Sequence, residues 1–344
     1  MGLRAWAPGR VNLVGDHTDY VGGLVLPMAI GLGVEITGDR GGDWLMLGSE
    51  RYDGVAEIPL DDVTDPAAVE PPWARYVAAV ASELQPNDGL VGMIHSSLPP
   101  GTGLGSSAAL EIAVATALGA DLDDPLAVAE ACQRAEHRAV GVPCGIMDQL
   151  VAVSAVAGRV LRIDCDSLAI QHVPFPDDGE IVVVDSGEPR ELASSAYAQR
   201  RSECEAAEQL IGPLRSATPA DAETIDDPVL RRRARHVTTE NDRVDALAAA
   251  LAGGQLRYAG ELLVASHASL RDDFDVSTAA LDDLVVMLRG VPGVFGARVT
   301  GAGFGGCVVA LCQPKTRLKV PVLWRGRPAA GASVTERAPA SPAG

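Results

Sequence analysis

A glycine-rich run at residues 99–109, PPGTGLGSSAA, carries the clearest chemical signal in the sequence. Its alternating glycines let the backbone approach a ligand closely, and the helical pattern that follows places unpaired N–H groups and the positive end of a helix dipole beside them. This arrangement favours an anion such as phosphate. An ordinary glycine-rich turn with serine caps fits the isolated stretch about as well. The run is not a Walker A loop, because no Gly-Lys-Ser/Thr follows.

A polar cluster at residues 7–20, APGRVNLVGDHTDY, concentrates donors and acceptors beside a strand-like run. Arginine, asparagine, aspartate and histidine side chains together suit a polyhydroxylated ligand, so the cluster favours a sugar. A polar turn in which the aspartates cap the backbone is the alternative.

Asp148 stands in VPCGIMDQ, residues 142–149, directly before an apolar run. An acidic side chain between Met147 and a hydrophobic helix is poorly placed for hydration, which indicates the wall of a site. An aspartate that stabilises the start of a helix is the commoner reason for such a position.

The segment GAGFGG at residues 301–306 matches the dinucleotide-binding pattern GxGxxG. That fingerprint requires a helix after the glycines and an acidic residue about 20 positions further on. Here the strand-like run CVVAL follows instead, and no acidic residue occurs in 320–327. We therefore predict a hairpin that lines a pocket.

Histidine spacing argues against a transition-metal enzyme. The six histidines show neither HxxxH nor HExxH, the spacings that place two imidazoles on one helix face. The histidine pattern does not argue against a hard cation that is bound by serine, aspartate or glutamate oxygens beside a phosphate.

A mixed arrangement of strands and helices must position these motifs. Periodicity predicts strands at 11–14, 34–37, 44–47, 90–95, 159–163, 181–185, 294–300 and 307–311, and helices at 106–119, 126–140, 193–210, 229–251, 256–266 and 278–288. Residues 212–227, rich in Pro, Ala, Thr and Asp, are predicted to form an exposed loop or a poorly ordered insert. The change to a helix-rich pattern predicts two domains, over 1–185 and 186–344.

Length, charge and cysteine usage limit the class of protein. The 344 residues exceed what one core usually organises, and a net charge of −18 argues against nucleic acid or anionic lipid as a partner. The six cysteines include no CxxC pair, which favours a reducing cytoplasm. No apolar run approaches 18 residues and no leader pattern opens the chain, so we expect neither a membrane anchor nor a signal peptide.

The motifs together resemble the galactokinases, a family of the GHMP kinase superfamily that also contains homoserine, mevalonate and phosphomevalonate kinases. Residues 7–20, 99–109 and 300–307 are similar to the three family motifs. Further similar segments occur in the same order, namely 136–149, 192–204 (LASSAYAQRRSEC), 235–244 (RHVTTENDRV) and 266–277 (SHASLRDDFDVS). The resemblance extends from about residue 7 to residue 312.

The resemblance implies a role for each matching residue. Asp148 would be the general base and Arg10 its partner, while Ser107 and Glu136 would be ligands of Mg²⁺. Galactose would contact Asp16, His17, Asp19, Gly145 and Tyr197. ATP would contact Gly101, Gly103, Leu104, Gly105, Ser106 and Ser107, with Trp73 in the adenine pocket.

The implied fold is a mixed α/β, two-domain GHMP kinase fold with the active site in the cleft between the domains. The implied activity is ATP-dependent phosphorylation of galactose at its C1 hydroxyl, by a cytoplasmic monomer whose partners are galactose and MgATP. A kinase for a related sugar, such as arabinose, galacturonate or N-acetylgalactosamine, is one alternative. A non-catalytic sensor of galactose and ATP is another.

The sequence departs from the family pattern at two places. Asp16 stands where the family usually has Glu, which shortens the carboxylate arm and loosens the identity of the sugar. After Cys312 the chain is shorter than the pattern, with residues 315–320 where a helix is expected before a last strand predicted at 320–324.

Overall fold

The computed structural model describes residues 2–61, 65–141, 144–188 and 193–336. Residues 142–143 of the Asp148 motif, residue 192 of a family-like segment, and the end of the predicted second domain at 337–344 lie outside the described residues.

Strands and helices alternate in the first half of the chain. Their order is β1 (Gly2–Asn12), β2 (Leu24–Val25), β3 (Pro27–Arg40), β4 (Trp44–Ser49), β5 (Val55–Pro59), α1 (Ala74–Leu84), β6 (Leu90–Ser96), α2 (Ser106–Leu118), α3 (Pro125–Val140), α4 (Met147–Ser154), β7 (Arg159–Asp164), β8 (Ile170–Pro174) and β9 (Glu180–Asp185).

Helices dominate the second half. Their order, with the strands that follow them, is α5 (Ala193–Ile211), α6 (Pro219–Ala222), α7 (Pro228–Ala252), α8 (Leu256–Asp272), α9 (Ala279–Arg289), β10 (Val294–Val299), β11 (Cys307–Cys312), β12 (Trp324–Gly326) and β13 (Ser333–Glu336).

A six-stranded sheet, ordered β13-β1-β3-β6-β4-β5, supports the glycine-rich run. Helix α2 packs on its strands β1 and β3 and also contacts α1, α3 and α4. The sequence of α2, SSAALEIAVATAL, is apolar on nearly every side, and a helix of this kind is stable only in the interior. Its small alanines let all of these neighbours approach, so the N-terminus of α2 is held rigidly beside β1.

A second sheet, ordered β10-β11-β9-β12, lies between two hydrophobic clusters. Successive side chains of a strand point to opposite faces. In β9, Ile181 and Val183 belong to the first cluster, whereas Val182 and Val184 belong to the second. Residues of β11 alternate in the same way, so this sheet is covered on both faces.

The mixed α/β class is confirmed, and all the helices predicted from periodicity are present. Helix α8 continues six residues beyond its predicted end at residue 266, and the other helices begin and end within one residue of their predicted bounds. Helices α1 and α6 and the strands β2, β5, β8 and β13 were not predicted. The hairpin predicted around 301–306 is confirmed, because β10 and β11 pair antiparallel on either side of it.

Two local predictions are correct only in part. Most side chains of residues 212–227 are exposed, as predicted, but the segment also contains α6, capped by Thr218 and Asp221, and it buries Leu214 and Ile225 against the second cluster. The strand predicted at 320–324 is β12, at Trp324–Gly326, because its backbone pairs with residues 181–183 of β9, and the unpredicted β13 follows it.

The boundary between residues 185 and 186 stays a prediction. Strand β9 ends there and pairs with β11 and β12, while β13 returns to pair with β1.

Candidate active site

Two adjoining cavities open beside the N-terminus of α2, and Ser106 and Ser107 line both. The first cavity is polar, with side chains from the motif at 7–20, from α3, α4 and α5 and from the glycine hairpin. The second is more apolar and includes Trp73. A helix N-terminus therefore joins a polar compartment to an aromatic one.

The glycine-rich run turns sharply between β6 and α2. Gly101, Gly103 and Gly105 have φ values of 74°, 72° and 75°, in the left-handed region that side chains with a Cβ rarely adopt. Gly105 is the N-cap of α2, and no described side chain caps that helix. Its first-turn N–H groups consequently stay available to an anion.

Gly101 and Leu104 shape this turn rather than line either cavity. Gly101 is exposed, and Leu104 is buried. The carbonyl of Leu104 accepts a hydrogen bond from the Arg10 backbone N–H at 2.9 Å. This bond ties the turn to β1.

Arg10 and Asp148 form a two-pronged ion pair at the wall of the polar cavity. Arg10 Nε donates to Asp148 Oδ1 at 2.7 Å and Nη2 donates to Oδ2 at 2.6 Å. The remaining Nη1 donates to the Gly103 carbonyl at 2.6 Å. A Cβ on Gly105 would lie 3.3 Å from Arg10 Cγ and 3.4 Å from Asp148 Oδ2, so the pair packs directly against the turn.

Asp19 lies in the same cavity, against Gly145. A Cβ on Gly145 would stand 2.1 Å from Asp19 Oδ2, so any side chain at this position would displace the Asp19 carboxyl. Burial, together with the like charges of Asp148 and Asp16, raises the pKa of Asp19 to about 6. Asp19 is thus a carboxyl that is poised to change charge just below neutral pH.

His17 is held as a neutral ring by its surroundings. Burial lowers its pKa to about 3. Its Nε2 lies 3.0 Å from the Ala302 carbonyl, which can only accept, so Nε2 carries the proton and Nδ1 accepts from Tyr20 Oη at 3.1 Å. The rings of Tyr197 and Phe274 pack beside it, with centroids 5.4 and 4.8 Å away. His17 and Tyr197 therefore form a rigid aromatic wall.

Asp16 lines the cavity, but both of its carboxylate oxygens are hydrogen-bonded to other groups of the protein. Its Oδ2 pairs with the Arg298 guanidinium, and its Oδ1 accepts from Asn12 Nδ2 at 3.2 Å and Gly301 N at 3.1 Å. Burial raises the pKa of Asp16 against the opposing effect of Arg298. The Asp16 carboxylate is therefore held in place by Arg298, Asn12 and the backbone of Gly301.

Arg298 is a buried cation that the sequence motifs did not reveal. Besides Asp16, it donates to the Leu13 carbonyl at 2.9 Å and lies 3.5 Å from Glu240 Oε1. Burial alone would raise the pKa of Glu240, but Arg243, His236 and Arg298 hold it well below its usual range. The available signal was a single arginine within the apolar strand VFGARV.

Ser107 and Glu136 line the polar cavity together. Glu136 Oε2 accepts from Gln149 Nε2 at 2.7 Å and from Cys144 Sγ at 2.9 Å. Both donors reach the same oxygen, which leaves Oε1 for another partner. Cys144 and Gln149 were not singled out as site residues, although both belong to the motif that contains Asp148.

The fold agrees with that of the GHMP kinases. The family model of the GHMP kinase N-terminal domain matches residues 75–155, and that of the C-terminal domain matches residues 246–320. The structure of Methanococcus jannaschii mevalonate kinase has the same fold, with a TM-score of 0.67, 21% identity and 92% of each chain covered. The chain is a kinase of the GHMP class.

Closer similarity lies with one branch of that class. The galactokinase galactose-binding signature matches residues 3–40. Galactokinase from Homo sapiens is 43% identical over 90% of this chain and 84% of its own, and that from Bos taurus is 41% identical over 92% and 86%. The structure of Lactococcus lactis galactokinase complexed with galactose has a TM-score of 0.84 at 33% identity, over 91% and 86%. The chain belongs to the galactokinase family.

Proposed function

We propose that this protein transfers the terminal phosphoryl group of ATP to the C1 hydroxyl of galactose. The observation that carries the proposal is the Arg10–Asp148 pair, which lines one cavity together with other residues of the sugar-type motif and the N-terminus of α2. Phosphoryl transfer requires an oriented hydroxyl, an acceptor for its proton and stabilisation of charge on the transferring group. All three requirements can be met within this one cavity.

Each side of the cavity has a distinct task. Asp148 accepts the proton of the sugar hydroxyl, and Arg10 orients that carboxylate through two hydrogen bonds. The backbone N–H groups at Gly103, Gly105, Ser106 and Ser107 bind the phosphates. Trp73 in the second cavity provides an apolar surface for the adenine ring.

The sugar binds among Asp16, His17, Asp19, Gly145 and Tyr197. Asp19 is the carboxylate that accepts from sugar hydroxyls in this proposal, because it makes no ion pair within the described part of the chain, whereas Asp16 is engaged with Arg298 and the hairpin. Tyr197 and His17 offer ring surface to the apolar face of the sugar.

Ser107 and Glu136 fit a magnesium ion. Both offer oxygen, and no cluster of three or more His, Cys, Asp or Glu side chains in the described ranges could hold a metal alone. Mg²⁺ prefers such sparse oxygen sites, in which water and nucleotide phosphates complete the coordination. When bound, it would neutralise charge on the phosphates.

No described helix is long and apolar enough to cross a membrane. We infer a cytoplasmic location from the cysteine pattern, and we infer a monomer that binds galactose and MgATP and, at a net charge of −18, no nucleic acid.

The decisive experiment is ADP release measured with galactose, arabinose, galacturonate and N-acetylgalactosamine as acceptors. We expect the highest kcat/KM with galactose. A higher value with another sugar would assign the protein to a related kinase. Galactose binding in calorimetry with no ADP release from any sugar would make it a sensor.

A further inference from the structure

Glu111 is a buried carboxyl that the proposed mechanism does not use. It follows Ser107 by one turn of α2, so the two side chains lie on the same face of the helix. Glu111 is fully buried, in a helix otherwise made of small and apolar residues. A carboxyl in such a place is costly unless it has a specific partner.

Its partner is the amide of Gln149, the residue after Asp148. Gln149 Nε2 donates to Glu111 Oε2 at 2.9 Å and to Glu136 Oε2 at 2.7 Å. An amide nitrogen has two hydrogens, and these two carboxyls take both. Gln149 is itself fully buried, so it bridges a buried carboxyl and a cavity carboxyl.

The bridge determines which end of the amide faces Glu136. A glutamine side chain can present either its NH₂ or its carbonyl by rotating about one bond. With the carbonyl turned toward Glu136, two acceptors would oppose each other and Glu136 would be pushed away. The acceptor supplied by Glu111 favours the NH₂ orientation.

We infer that Glu111 is a positioning residue for Glu136 and acts through the Gln149 amide. The inference rests on the proposed role of Glu136 as a cation ligand. With Oε2 of Glu136 fixed by Gln149 and Cys144, Oε1 is the oxygen presented to the cation. Residues that orient a ligand in this way commonly affect metal affinity by 10- to 100-fold.

The test compares Glu111→Met, which keeps the length of the side chain but removes the acceptor, with Glu111→Gln, which retains a carbonyl acceptor. Thr116→Val is the matched control, since it changes a buried side chain of α2 that has no hydrogen-bond partner among the described residues. The readout without turnover is the Kd of the Mn²⁺ complex of a non-hydrolysable ATP analogue. The Kd of galactose is measured beside it.

We expect Glu111→Met to raise the Kd of the Mn²⁺–nucleotide complex about tenfold. Its Kd for galactose and for the metal-free nucleotide should stay within about twofold of the parent protein. Glu111→Gln and Thr116→Val should stay within about threefold for all ligands. An unchanged Mn²⁺–nucleotide Kd in Glu111→Met, or a loss in Glu111→Gln as large as in Glu111→Met, would overturn the inference.

Two further variants make the result unambiguous. Gln149→Met breaks the bridge at its centre, so it tests the inference even if Glu111→Met does not fold, and unchanged Mn²⁺–nucleotide affinity there also overturns it. Glu136→Gln tests the proposed metal site itself. If Glu136→Gln weakens the complex and Glu111→Met does not, only the positioning role fails; if Glu136→Gln has no effect, the metal site fails.

Discussion

At the scale of single residues, the cavity holds carboxylates with different surroundings and different tasks. Asp148 forms an ion pair with Arg10 and Asp16 forms one with Arg298, whereas Asp19 packs against Gly145. Neighbouring groups, rather than the carboxyl itself, decide which of them can accept a proton or a sugar hydroxyl.

Replacing Asp148 with Asn should lower kcat by about 100-fold or more while galactose still binds. Asparagine keeps the shape but removes the proton acceptor, and its NH₂ opposes the Arg10 donors. Steady-state kinetics and galactose calorimetry measure the two effects separately. A near-normal kcat would remove Asp148 from the catalytic role.

Galactose affinity should fall as the pH drops below about 6. Asp19, whose pKa is raised to about 6 by burial and by Asp148 and Asp16, binds sugar hydroxyls best as a carboxylate. If only that form binds, the Kd at pH 5.5 is up to about fourfold higher than at pH 7.5. Calorimetry at the two pH values measures the difference.

Asp19→Asn is the control for this pH effect. It should bind galactose weakly and with a Kd that is the same at both pH values. The raised pKa also means that the ionised Asp19 destabilises the fold as the pH rises through about 6. The variant should therefore have a higher Tm than the parent at pH 7.5; a lower Tm would contradict the burial of an ionised Asp19.

At the scale of elements, the glycine-rich turn and the Arg10–Asp148 ion pair that packs against it form one unit. Gly105→Ala places a Cβ at φ 75° and against Arg10 and Asp148, so it should lower kcat at least tenfold. Gly158→Ala has the same kind of strain, at φ 74°, but its Cβ meets nothing within 4 Å. Steady-state kinetics and Tm measurements on both variants test this prediction. We expect similar losses of Tm in the two variants and a loss of kcat only in Gly105→Ala.

The elements that carry local patterns could be predicted from the sequence, and those fixed by distant contacts could not. The alternating glycines and the apolar α2 specify the turn and its helix without further help. Residues 212–227 look like a loop because the surfaces that cover Leu214 and Ile225 come from elsewhere in the chain.

Within the candidate site, too, some residues could be predicted from the sequence, whereas others depend on contacts between distant parts of the chain. Arg10, Asp148, Ser107 and Glu136 could be proposed from motif resemblance, and the structure places all four around one cavity. Arg298 could not, because an isolated arginine in a strand is normally solvent-facing, and only tertiary packing brings two carboxylates to it. The raised pKa of Asp19 is likewise a product of burial that a linear sequence does not display.

At the scale of the whole molecule, Arg298 joins distant parts of the chain. Arg298→Met should lower the free energy of unfolding by about 3–5 kcal/mol, since it leaves the buried carboxyls of Asp16 and Glu240 without their cation. Arg271→Met, which breaks an exposed pair with Asp272, should cost less than about 1 kcal/mol. Urea denaturation of both variants compares them, and equal losses would contradict this account.

The four-stranded sheet between the two clusters has a consequence for how the protein comes apart. Because β9 and β11 supply alternate side chains to both clusters, neither cluster can lose its packing without exposing one face of the same strands. The two clusters should therefore unfold together, and a calorimetric scan should show a single cooperative transition rather than two. Two hydrophobic clusters that share the strands of one sheet cannot unfold independently of each other.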